Sequence, residues 1–96
     1  MDVRLEDEDG KPISDDYLVI EFGSLPSGKD SPISSLIDAA RYYDTLLNPI
    51  QAEALADEIV AAGESFLSTL EPLVKWAREI SGSHAHLRTY LRFVGD

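Results

Sequence analysis

Residues 23–29, Gly-Ser-Leu-Pro-Ser-Gly-Lys, have the Gly-x-x-x-x-Gly-Lys spacing of a loop whose backbone amides cradle a phosphate while the lysine reaches its outer oxygens. The next position must then carry Ser or Thr to hold magnesium. It is Asp30, which sets a carboxylate against the phosphate, and Pro32 removes an amide from the start of the helix that follows. The stretch therefore reads as a turn-rich connector, and no nucleotide is expected to bind. Asp7-Glu8-Asp9-Gly10 has the acid-then-glycine order of a calcium loop, but aligning Gly10 with the obligatory glycine puts Leu5 at the first ligand position. His84 and His86 on a strand would point both imidazoles to one side, the beginning of a zinc site; two ligands do not complete one. The serines include no Gly-x-Ser-x-Gly elbow, and the adjacent carboxylates Asp15 and Asp16 would diverge on a strand. No nucleophile, base and stabiliser can be named together. The chain is expected to be non-catalytic, without metal or cofactor.

What the sequence has in excess is acid: 18 Asp and Glu against 8 Lys and Arg in 96 residues, a formal net charge of −10. Residues 1–30 hold nine acids and three bases, residues 31–62 five and one, and residues 63–96 four and four. Such a field repels nucleic acid and anionic membrane and steers toward cationic surfaces. The absence of cysteine excludes disulfides and thiolate metal sites and fits a reducing compartment. Residues 1–10 lack the basic and apolar regions of a secretory signal, and no apolar run approaches the ~18 residues of a membrane span. The expected location is cytoplasmic.

The elements that would position these groups follow from periodicity. Val3 and Leu5 alternate with Asp2, Arg4 and Glu6, and Leu18, Ile20 and Phe22 alternate with Tyr17, Val19 and Glu21; with Asp9-Gly10 as the turn, residues 1–23 read as a β-hairpin. Residues 24–30 form a loop. Ser31-Pro32 supplies a capping hydroxyl and a first-turn proline, and Ile33, Leu36, Ile37, Ala40, Tyr43 and Leu47 predict a helix over 31–47. Asn48, Pro49 and Gln51 form a capping box for the next helix, so the two helices should pack as an αα-hairpin. Leu55, Ile59, Ala62, Phe66, Leu70, Leu73, Ala77 and Ile80 keep one stripe through Pro72, which predicts either a kinked helix over 49–80 or a pair broken near Pro72. A second line, Val60, Leu67 and Val74, makes that face wide enough for a further neighbour. Residues 84–94 fit a strand, with Leu87, Leu91 and Phe93 on one side, or a helix; a two-stranded hairpin needs a third strand or a helical support.

The expected fold is α+β: an N-terminal hairpin, with a third C-terminal strand as an option, packed on two or three antiparallel helices in a single domain, 1–96. The expected function is protein binding without catalysis, Asp7, Glu8, Asp9, Asp15 and Asp16 docking on a basic surface of a partner as inhibitors, immunity proteins, antitoxins and nucleic-acid mimics do. No direct contact with nucleic acid or membrane is expected. The alternative is a small homo-oligomeric structural or regulatory subunit, a homodimer in the simplest case, whose helix face is Val60, Leu67 and Val74. The neutral C-terminal third offers a lesser candidate surface in Lys75, Arg78, Arg88 and Arg92 beside Trp76, Tyr90 and Phe93.

Overall fold

The computed structural model describes residues 1–21, 23–40, 42–82 and 89–95, apart from the side chain of Ser14. The expectations for Phe22, His84, His86, Leu87 and Arg88 lie outside the described residues. Strands β1 (Asp2–Asp7), β2 (Pro12–Val19), β3 (Thr45–Leu47) and β4 (Thr89–Val94) form an antiparallel sheet in the order β2-β1-β4-β3. Helices α1 (Pro32–Ala39), α2 (Pro49–Ala62) and α3 (Glu64–Gly82) complete the α+β fold.

The hairpin turns where the sequence has Asp-Gly, with Gly10 at φ 79° and its amide donating to the Asp7 carbonyl at 3.0 Å. Its third strand is the C-terminal one. β4 pairs with β1 from Asp2 opposite Val94 to Asp7 opposite Thr89. This register puts Val3, Leu5, Leu91 and Phe93 on the inner face, with Val3, Leu91 and Phe93 at most 1% exposed. On the outer face Arg92 and Tyr17 flank Arg4, Val94 and Val19 flank Asp2, and Tyr90 and Pro12 flank Glu6.

The helix expected over 31–47 stops at Ala39. Residues 45–47 instead pair with β4, Leu47 turning into the core and Leu46 outward beside Arg92. A sheet edge needs backbone partners, and three residues of period two satisfy it; Leu36 and Tyr43, which the helical stripe put in the core, are 51% and 76% exposed. Because β3 intervenes, α1 and α2 do not form the expected αα-hairpin. That hairpin lies between α2 and α3, which fold back on each other about Gly63, at φ 116°, and are tied by Arg78 to Asp57 at 2.8 Å.

The reversal at Gly63 is a break that the stripe did not signal, and the kink expected near Pro72 is present as well, within α3. Leu70 leaves helical geometry at φ −108° and ψ 17°, in the turn that precedes the proline. The chain reversal also breaks the line of Val60, Leu67 and Val74, since Val60 lies on α2 and the others on α3; Val74 packs against the core and Leu67 is half-buried. The main stripe survives the reversal because both helices turn it inward: Leu55, Ile59, Leu73 and Ala77 are at most 1% exposed. Phe66, beside the turn, is only half-buried, which corrects its expected place in the core.

Ile59→Ala should lower the free energy of unfolding by about 2–5 kcal/mol, and Phe66→Ala by less. Urea denaturation of the two variants checks the order; a larger loss at Phe66 would mean that the hairpin about Gly63 is wrongly phased.

Candidate functional site

The start of α1 is where a phosphate would sit if residues 23–29 cradled one. Its amides are already engaged. Glu58, on α2 and 9% exposed, accepts from the Ile33 amide through Oε2 at 2.9 Å and from the Ser34 amide and hydroxyl through Oε1, each at 2.9 Å. A carboxylate from another helix thereby caps the second and third residues of α1 and meets the positive end of its dipole. The Ser31 hydroxyl, expected to cap, makes no such bond. The preceding loop is held by packing, with Leu25 4% exposed within the core cluster and Pro26 buried beside it. Ser27, Asp30 and Ser31 share a cleft of about 310 Å³ with Glu58 and Phe66, so any anion entering it would meet two carboxylates. Its chemistry is that of an internal cap.

The second polar centre lies on the outer face of the sheet. Arg92 donates from Nε to Glu6 Oε1 at 2.6 Å and from Nη1 to Asp44 Oδ2 at 3.0 Å, and the Gly95 amide donates to Asp44 Oδ1 at 3.0 Å. Glu6 is 5% exposed, and the Arg92 guanidinium is held above its ordinary pKa chiefly by the hydrogen bond it donates to Glu6, against the cost of burial. Arg4, directly opposite Arg92, pairs with Asp2 at 3.3 Å. Two like charges facing each other across strands are thus each neutralised on the same face.

The acidic residues expected to bind a partner divide into two kinds. Asp7 is half-buried, and its Oδ1 accepts from the Asp9 and Lys11 amides, both at 2.9 Å, so it shapes the turn. Glu8, Asp9, Asp15 and Asp16 are exposed. Asp15 and Asp16, expected to diverge on a regular strand, lie in an irregular stretch of β2. Between the pairs Arg4–Tyr17 and Glu6–Pro12 four residues, 13–16, stand opposite Leu5 alone, and this bulge sets both acids in a depression of about 220 Å³ with Arg4, Pro12 and Tyr17. The C-terminal surface is not assembled as expected: Phe93 is core, Arg78 pairs with Asp57 on the helices, and Arg92 is bound on the sheet. Among the described residues no three His, Asp or Glu side chains converge as a metal site, and no helix is long and apolar enough to cross a membrane.

The signal for Glu58 was present but unreadable. It lies on α2 one position before the apolar stripe residue Ile59, where a helical pattern alone gives no partner 24 residues away.

Glu58→Ala should destabilise the fold by about 2–4 kcal/mol because two helix amides lose their acceptor, with Glu58→Gln falling between it and the parent. Denaturation midpoints check the order. Calorimetry with ATP and magnesium should show no binding at millimolar ligand; micromolar affinity lost on Lys29→Ala would contradict the capping role of Glu58.

Comparison with protein-family models, curated proteins and solved structures finds no match, so the functional reading rests on the geometry of this chain.

Proposed function

We propose that the protein is a small acidic, non-catalytic binding module that docks on a basic surface of a partner protein, in the manner of an inhibitor, immunity protein, antitoxin or nucleic-acid mimic. The observation that carries this reading is the disposition of charge. Among the described residues, the arginines Arg4, Arg78 and Arg92 all end on carboxylates of their own chain. Glu8, Asp9, Asp15 and Asp16 meanwhile project from one hairpin at the edge of the sheet. These arginine charges are each matched within the chain, while the four exposed acids of the hairpin outnumber its one lysine, Lys11, which concentrates negative potential at one corner and accelerates encounter with a cationic surface. Asp7 supports this corner by closing the turn with its side chain, and is better left unaltered in any test of binding.

Converting Glu8 to Gln and Asp9, Asp15 and Asp16 to Asn should change stability by less than about 1 kcal/mol, since exposed ion pairs contribute little. Association with a basic protein co-purified from the source cell should slow by about tenfold at low salt and lose most of its salt dependence. Parental association rates in the quadruple variant, together with a concentration-dependent mass abolished by Val60→Ser, would replace the docking module with a homo-oligomeric subunit.

A further inference from the structure

Among the described residues, helices cover the sheet on one face only. α2 and α3 pack against the face that holds Val3, Leu47, Leu91 and Phe93, and no described element covers the other. An open antiparallel face is ordinarily polar. Here Tyr17, Val19 and Leu46 are 58%, 66% and 45% exposed, and Tyr90 and Val94, on the same face, are half-buried. Its arginines are each paired within the face, Arg4 with Asp2 and Arg92 with Glu6 and Asp44, which leaves one carboxylate in excess for a cationic partner to meet. Tyrosine and arginine set among aliphatic residues is the composition of an interface core. The depression that holds Asp15 and Asp16 adjoins it, sharing Arg4 and Tyr17.

We propose that this outer face docks an amphipathic helix of a partner protein, its apolar stripe lying over Tyr17, Val19 and Leu46 and its lysine- or arginine-bearing flank against Asp15 and Asp16. The inference rests on the docking reading above and names the surface and the partner chemistry. Size and charge together select the occupant. The strands, of six, eight, three and six residues at ~3.3 Å each and ~4.8 Å apart, present roughly 360 Å², less than half of what each side of a stable protein pair buries. So small a face needs a partner whose charge complements its acidic rim, whereas a second copy would bring another net −10 and another acidic rim to the same place. A helix ~10 Å wide and ~13 residues long spans the ~20 Å length of the central strands and turns a basic flank to the acidic rim.

The test is titration of the isotope-labelled full chain with a synthetic helical peptide that carries a leucine stripe flanked by lysines, beside a control flanked by glutamates. The lysine peptide should shift the amide resonances of Arg4, Tyr17, Val19, Leu46 and Arg92. Val19→Thr with Leu46→Gln, both at exposed positions, should raise its Kd at least tenfold with an unchanged thermal midpoint. Asp15→Asn with Asp16→Asn should weaken it and flatten its salt dependence. Shifts confined to the turn at residues 7–11 or to the helices, or parental binding by the Val19 and Leu46 double variant, would overturn the sheet face as the site while leaving the acidic docking reading standing. Equal binding of both peptides would overturn the basic flank and that reading with it. No binding at millimolar peptide, or sedimentation showing a dimer that the double variant abolishes, would overturn the helical partner altogether.

Discussion

Six successive residue pairs, from Asp2 with Val94 to Asp7 with Thr89, join the first strand of the chain to the last and set the centre of the sheet. Closing so long a loop costs chain entropy that only burial on both sides of the pairing can offset. The inner face meets that cost with Val3, Leu91 and Phe93, all at most 1% exposed, against the stripe of α2 and α3. β2 and β3 add to the outer edges of this central pair and derive their register from it.

Two buried carboxylates fasten the periphery to that centre. Glu58 holds the start of α1 against α2 by accepting from the Ile33 and Ser34 amides and the Ser34 hydroxyl. Glu6 holds Arg92, which in turn reaches Asp44 and secures the segment between α1 and β3. In each case an acid of this strongly acidic chain is used internally, and each is matched by donors fixed in place by secondary structure. No buried side-chain nitrogen or oxygen among the described residues lacks a partner.

The remaining acid has a different character. On the β1–β2 hairpin it sits on a turn and a bulge, devices that interrupt ladder pairing and keep a sheet edge from meeting another of its kind. The bulge of four residues against one also places Asp15 and Asp16 in a depression shared with Arg4 and Tyr17 of the outer face, so the charged corner adjoins the uncovered sheet. Protection against indiscriminate pairing and selection of a cationic partner are served by the same side chains.

Much of this was legible in residues alone. Alternation of Val3 and Leu5, the Asp9-Gly10 turn, the Asn48-Gln51 capping box and the stripe from Leu55 to Ile80 are local patterns, and local patterns determine element type because backbone and neighbouring side chains act within a few residues. The net charge and its concentration in residues 1–62 were likewise plain. What the tertiary structure decided involves partners remote in sequence. Leu47 is helical in periodicity and β in fact because β4 offered it backbone bonds; the reversal at Gly63, where a positive φ costs glycine little, was hidden by an apolar stripe that ignores it. Glu58 and Asp7 read as surface acid until their acceptor oxygens met specific amides. A charge count is additive along the chain, but whether a carboxylate faces water or a helix end depends on where the fold brings the donors.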